Sequence, residues 1–460
     1  MNLERIDEVV KNQRSLNQSK SNFSLKERLS LLDKLEKSLL KYEKEINEAL
    51  YEDLRKCHFE AQISEFLFVL NELRSAKKHL KKWMKRKSVK TPLIYFPAKS
   101  YILSEPYGSV LIISPWNYPF QLLISPLIGA LAAGNRVVVK PSEVSASTSK
   151  VISKIISETF DESTVYCVEG GVEETTRLLD NRFDYIFYTG NGHVARIIME
   201  KASKNLTPLT LELGGKSPCF IFGAQKIDLV AKRIVSGKFF NAGQTCIAPD
   251  YILVEDKHYE ELVNKLEKYI LKFFGKNAQK SSSYGRIINE RHFDRIVELI
   301  ESEELLYGGE SDKDDLYISP SIISAKKDSH IMKDEIFGPL LPIIKMQNLK
   351  EAIDFVSEGE KPLANYIFSE DKKIVEVILD RVSSGGVTIN DTLMHIANEN
   401  LPFGGVGESG MGAYHGKSSF DLFSHKKSVF ASSSSFDPPF KYPPYFGKMR
   451  LLRWLLKFFG

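Results

Sequence analysis

Two residues in this chain are placed where covalent chemistry would need them. Cys246 lies in the stretch GKFFNAGQTCIAPDYILV, residues 237–254, directly behind Gly243, Gln244 and Thr245 and between apolar runs. A thiol becomes nucleophilic where backbone donors or a helix N-terminus favour its thiolate, and stays inert where it is merely buried. Both readings are open on this segment alone, burial being the commoner fate of a free cysteine. Glu212 closes the short strand LTLE, downstream of the pattern G-x-G-x-x-A at 190–195. That pattern lets a pyrophosphate approach a helix N-terminus, with an acidic residue about twenty positions on to take the ribose. A glutamate in that place equally suits a catalytic base, and the spacing does not choose between the two. A phosphate loop is excluded, because GKS at 215–217 would need a glycine at the position of Thr210.

The elements that must carry these groups are short apolar strands alternating with helices. GSVLIIS at 108–114 ends in PWNYPF, RVVVK at 136–140 follows the helix-like PLIGALAAGN, and YIFY at 185–188 ends in TGNGHVA. This alternation predicts a parallel sheet covered on both faces, with ligands beyond the carboxyl ends of its strands. Each strand carries polar or glycine groups at that end: Trp116 and Asn117, then Lys140, Ser142 and Glu143, then Thr189 to Gly192. Three such ends together indicate a cofactor crevice.

The remaining pattern is scaffold. Apolar residues from 24 to 54 recur at helical spacing and predict one amphipathic helix, and 61–83 predicts a second. The second runs into KKHLKKWMKRK at 77–87, read as a solvated helix face rather than a phosphate-backbone contact. Residues 92–107 read as an extended, proline-punctuated arm. EIFGPLLPII at 335–344 is a loop leading into a strand, GGVTIND at 385–391 is a strand, and six glycines between 404 and 416 mark a tightly turned loop.

Composition bounds the function. A chain of 460 residues divides into two or three domains. A net charge of +4, from 63 basic and 59 acidic residues, demands no polyanionic partner, so nucleic acid is not expected. Cys57, Cys167, Cys219 and Cys246 show no metal-ligand spacing, so no metal is expected and a reducing, cytoplasmic compartment is. The N-terminus lacks the basic start and apolar core of a signal peptide, and the longest apolar run, 122–134, is too short to span a bilayer. The tail KMRLLRWLLKFF at 448–459 sets Arg450, Arg453 and Lys457 on one helical face among apolar residues. That suits a helix lying peripherally in a membrane interface, or a cap over a groove or partner.

Six segments then carry a resemblance: PWNYP at 115–119, KPSE at 140–143, LELGGKSP at 211–218, NAGQTCIAPDYILV at 241–254, EIFGP at 335–339 and PFGGVGESGMGAYHG at 402–416. In this order they resemble the aldehyde dehydrogenase superfamily, and the tail AYHGKSSFDLFSHKKSV resembles its class 3, fatty aldehyde dehydrogenase-like branch. The resemblance runs from about residue 20 to 445. It implies an α/β fold: a Rossmann-like cofactor domain (1–84 and 107–208), an α/β catalytic domain (209–391), a small oligomerisation element (85–106 and 392–445), and beyond them the apolar-basic tail (446–460).

The implied activity is NAD- or NADP-dependent oxidation of aldehydes, medium- or long-chain aliphatic or aromatic, to carboxylic acids through a cysteine thiohemiacetal and thioester, in a homodimer. Carried over residue by residue, Cys246 is the nucleophile, Glu212 the deacylation base and Asn117 the oxyanion donor. Lys140 and Glu143 meet the adenosine ribose, Gly190 the pyrophosphate, and Glu335 with Phe337 the nicotinamide ribose; Trp116, at the first strand end, joins the cofactor set. Two positions depart from the pattern: Ala195 stands for a common second glycine, and Ala242 for a cysteine frequent in the branch. A coenzyme A-acylating enzyme and a non-catalytic scaffold are the rival readings; the first does not need Glu212, and the second leaves the Cys246, Glu212 and Asn117 set without a use.

Overall fold

The apolar runs fold as strands buried along their whole length. A computed structural model describes residues 3–19, 23–437 and 441–459. One sheet runs, in spatial order, Gly410–Met411, Leu209–Glu212, Tyr185–Thr189, Ser109–Ile113, Arg136–Lys140 and Val165–Cys167. All neighbours are parallel except the short Gly410–Met411 edge. Alternation along a strand divides its side chains between two cores. Val110 and Ile112 join the large core beneath the helix Gln121–Ala133, while Leu111 and Ile113 join a second core with Ile186, Leu178 and Ile198. The chain enters at Ser109–Ile113, winds outward through two strands, and returns to lay Tyr185–Thr189 on the first strand's other side. Such a reversal opens a crevice beyond the strands' carboxyl ends.

A second sheet orders Glu304–Tyr307, Ser321–Ser324, Leu340–Met346, Tyr251–Glu255, Pro218–Ile221, Ala364–Phe368 and Gly386–Ile389, parallel apart from its first strand. A third is antiparallel: Lys87–Val89, Lys99–Pro106 and Ser424–Ala431. The segment read as an extended arm is therefore a hairpin whose longer strand pairs over eight residues with the chain's C-terminal strand.

Three helical expectations need correction. The single helix over 24–54 is two, Leu25–Lys41 and Glu43–Leu54, broken at Tyr42, whose backbone leaves helical geometry while its hydroxyl donates to Glu158 at 2.5 Å. The second helix is interrupted by a π turn at Gln62–Phe66 that turns both Glu65 and Phe66 inward, a wide turn of the kind frequent at functional sites. The basic run is not one helix face: its helix ends at Trp83, and the run continues into the strand Lys87–Val89. An N-terminal helix, Leu3–Ser19, was not expected; it buries Ile6, Val9, Val10 and Gln13.

Candidate active site

The nucleophile sits after a left-handed corner. Asn241 and Ala242 have φ of 51°, and Gly243 follows at 75°. Only glycine fits there, because a Cβ on Gly243 would lie 2.2 Å from the Gly338 carbonyl. The same close approach presses the cysteine loop against the loop that carries Glu335 and Phe337. Gln244, fully buried, locks the corner by donating to the Asn241 (3.1 Å) and Arg286 (2.9 Å) carbonyls and accepting from Ile288 N–H (3.0 Å).

Asn117 reaches the same corner from the first strand end. Its Nδ2 donates to the Gln244 carbonyl at 3.0 Å, which uses one amide hydrogen and leaves the other for a ligand. Next to it, the Tyr118 hydroxyl and Thr245 Oγ1 lie 2.7 Å apart, tying the residue before Cys246 to the strand end. Cys246 is half-buried. Burial pushes its thiol pKa up, and the carboxylates of Glu335 and Glu212 push it further, while the backbone N–H groups of Cys246 and Ile247 act the other way. Glu212 is buried, and both its carboxyl oxygens lack a hydrogen-bond partner. Burial lifts its pKa well above the usual carboxylate range.

The cofactor candidates occupy the crevice. Lys140 is buried and donates to the Pro141 carbonyl (2.9 Å) and to Glu143 (3.0 Å), whose side chain is half exposed. The Trp116 ring meets Phe337 edge-on at 5.4 Å and lies 4.9 Å from His292. The Glu335 carboxyl lies against Gly214, and burial raises its pKa to about 8. Gly190 is required by Tyr188, whose hydroxyl would lie 2.2 Å from a Cβ there. At the ends of neighbouring strands, Ser114 Oγ, Thr189 Oγ1 and both Glu212 oxygens are buried without partners. Orphaned polar atoms along a switch-point crevice are what a polar ligand satisfies, so the residues present fit a dinucleotide.

Two supporting networks had no sequence signal. Lys56 and Glu65, both with fully buried side chains, pair at 2.5 Å. Lys56 also donates to the Asn117 carbonyl at 3.3 Å, and Glu65 accepts from the backbone N–H of Phe120 (3.0 Å) and Gln121 (3.1 Å). Asn241 Nδ2 donates to that same Asn117 carbonyl at 2.9 Å, and its N–H to Glu60 at 2.8 Å. The segment 56–65 therefore holds both the oxyanion strand end and the cysteine corner. The second network holds the loop at 331–337. Lys216 Nζ donates to Asp250 (2.6 Å) and to the carbonyls of Ile331 and Asp334 (2.9 Å each), Asp250 accepts from Ile336 N–H (3.1 Å), and Arg295 donates to the Ile336 carbonyl (2.6 Å). Lys56 and Glu65 lie nine residues apart, off any helical period. Lys216 and Asp250 stand inside the recognised segments, thirty-four residues apart, with nothing in their spacing to mark them as a pair.

Comparison with known proteins agrees with this geometry. Residues 1–429 match the aldehyde dehydrogenase family. The chain is 49% identical over 429 residues to the 4,4'-diaponeurosporen-aldehyde dehydrogenase of Staphylococcus aureus, covering 93% of this chain and 94% of that one. It is 44% identical over 451 residues to the dimeric NADP-preferring aldehyde dehydrogenase of Canis lupus familiaris, covering 97% and 99%. A solved structure, the substrate-bound state of Staphylococcus aureus AldH, superposes with a TM-score of 0.97 at 46% identity, covering 99% of this chain and 100% of that one.

Proposed function

The chain belongs to the aldehyde dehydrogenase family, and from that premise we propose that Cys246, Glu212 and Asn117 carry its reaction. The reaction itself is the NAD- or NADP-dependent oxidation of an aldehyde to its carboxylic acid. Cys246 adds to the aldehyde carbon to form a thiohemiacetal, and the developing oxyanion takes the free Asn117 amide hydrogen and the Cys246 N–H. Glu335, Phe337 and Trp116 would hold a nicotinamide, which would supply the hydride acceptor when bound. Glu212 then takes a proton from water, which attacks the resulting thioester and releases acid and thiol. Lys140 and Glu143 hold the adenosine ribose, and the turn at Gly190 receives the pyrophosphate.

The observation that carries this reading is the Glu212 carboxyl, buried without a partner and near enough to raise the Cys246 pKa. A carboxyl left so poor in contacts costs stability and suits a base whose proton affinity burial has raised. The substrates are proposed to be aliphatic or aromatic aldehydes of medium or greater length. The apolar aldehyde named for the staphylococcal relative supports that choice.

The three sheets support the division into cofactor domain, catalytic domain and bridging element. A homodimer is proposed through the bridging sheet, whose eight-residue strand Ser424–Ala431 is an edge. The dog relative's description as dimeric supports it. Among the described residues no helix is long and apolar enough to cross a membrane, and the tail helix Met449–Phe459 is proposed to lie in an interface. The test of substrate and cofactor is reduction of NAD and NADP, each assayed across aldehydes from two to sixteen carbons. Rising kcat/KM with chain length supports the apolar reading, and preference for the shortest aldehydes overturns it.

A further inference from the structure

The fold brings together two segments that the catalytic machinery leaves unused. Residues 74–99 hold ten lysines and arginines and no carboxylate, and residues 441–460 hold five and none. The remainder of the chain carries 48 basic residues against all 59 acidic ones, so the excess positive charge is concentrated in these two segments. They meet in space. The hairpin of Lys87–Val89 and Lys99–Pro106 has the turn Leu93–Tyr95 at its tip, and the tail helix Met449–Phe459 packs on that turn.

The tip is apolar and solvent-facing, with Leu93, Tyr95 and Phe96 at 61%, 54% and 72% exposure, and Phe446, just before the helix, is almost wholly exposed. Along the helix end and strand that lead into the hairpin, Lys78, Lys81, Lys82, Lys85, Lys87 and Lys90 have no carboxylate within ion-pair distance among the described residues. Arg74 and Lys77, by contrast, are spent on Glu36 and Asp33. Exposed aromatic and aliphatic side chains on a segment rich in unpaired lysines have one partner chemistry that satisfies both: an apolar layer under anionic headgroups.

We propose that the hairpin tip, the basic run and the tail helix form one surface that binds an anionic lipid bilayer. This rests on the interfacial reading of the tail and extends it, making the basic run a second, independent half of the contact. The surface uses the Lys87–Val89 side of the bridging sheet, opposite the Ser424–Ala431 edge proposed for the dimer, so both contacts are available together.

Vesicle cosedimentation of the full chain tests this, using phosphatidylcholine alone and phosphatidylcholine with 30% phosphatidylserine. Three further proteins are compared: a truncation after Phe446, the variant K81Q/K82Q/K85Q/K87Q, and L93S/F96S. Oxidation of a water-soluble aldehyde checks that each is folded, since none of these positions lies in the active site. The expected result is binding to the anionic vesicles only, weakened by salt, and reduced roughly fivefold for each lysine removed. The L93S/F96S variant and the truncation each lose binding as well. If the truncation abolishes binding while both substituted variants bind as the parent does, the inference is overturned and the tail reading stands. If the parent binds neither vesicle, both fall. If the substitutions change the mass measured by light scattering and leave vesicle binding intact, the surface is a contact between copies of the chain, and the lipid proposal is overturned.

Discussion

Replacing Lys56 by methionine separates the catalytic reading of its network from a merely structural one. The ammonium it removes sits 2.5 Å from Glu65 and 3.3 Å from the Asn117 carbonyl, over the Tyr118 ring at 4.1 Å. Both side chains of the pair are shielded from solvent, so the change strands a buried carboxylate, a defect that costs about 3–5 kcal/mol. Glu65 keeps two backbone donors, from Phe120 and Gln121, which places the loss at the lower end of that range. Adding Glu65→Gln removes the stranded charge and should restore about half of the lost stability, read from urea unfolding midpoints. Activity per titrated active site should fall roughly tenfold in kcat with little change in KM, bounded by the 10²–10³ that loss of an oxyanion donor costs. In an Asn117→Ala background the same Lys56→Met change should leave kcat nearly unaltered, because the group it positions is gone. An equal fall in both backgrounds, or unchanged stability in the single variant, refutes the argument.

Gly243→Ala should destabilise by more than the about 1–2 kcal/mol of a left-handed backbone alone, since its methyl would meet the Gly338 carbonyl, and activity should vanish with it. Gly171→Ala, where a methyl meets nothing within 4 Å, is the tolerated control, with circular dichroism and specific activity as readouts. Burial raises the Glu60 pKa to about 7 and that of Glu335 to about 8. The folded protein therefore holds protons that the unfolded chain releases near pH 4.5, and stability should fall as pH rises between about 4.5 and 8, by at most about 1.4 kcal/mol per unit for each group. Glu60→Gln and Glu335→Gln should each flatten that slope in urea unfolding at pH 5 and 8; an unchanged slope contradicts the assignment. Glu143→Ala removes the half-exposed carboxylate beside Lys140, and should raise kcat/KM for NADP relative to NAD by roughly tenfold. An unchanged ratio would remove Glu143 from the ribose site.

The sequence carried the site's chemistry further than its support. Short apolar strands ending in polar groups told where the crevice lies, because a strand buried on both faces leaves a continuous apolar run. Cys246 and Glu212 each stood open between two roles until the other segments were read with them. Lys56, Glu60 and Glu65 had no such neighbours: they act through backbone carbonyls and N–H groups of segments far along the chain, and no local pattern records that. The break at Tyr42 and the π turn at 62–66 escaped for a related reason. Apolar spacing continues through both, and what bends the chain is a tertiary contact, from Tyr42 to Glu158 and from Glu65 to the Asn117 strand end. The basic run shows the converse, a clear local signal read as one helix face, which the end of the helix at Trp83 and the strand Lys87–Val89 divide between two elements.

The division of labour between Cys246 and Glu212 is the centre of this account, and rapid mixing of the Glu212→Gln enzyme with aldehyde and NAD reads it directly. One equivalent of reduced cofactor per active site should appear in a burst, followed by turnover slowed roughly a hundredfold or more as the thioester waits for its base, while Cys246→Ala gives no burst. Steady turnover of Glu212→Gln at the parent rate, or a burst from Cys246→Ala, would contradict it.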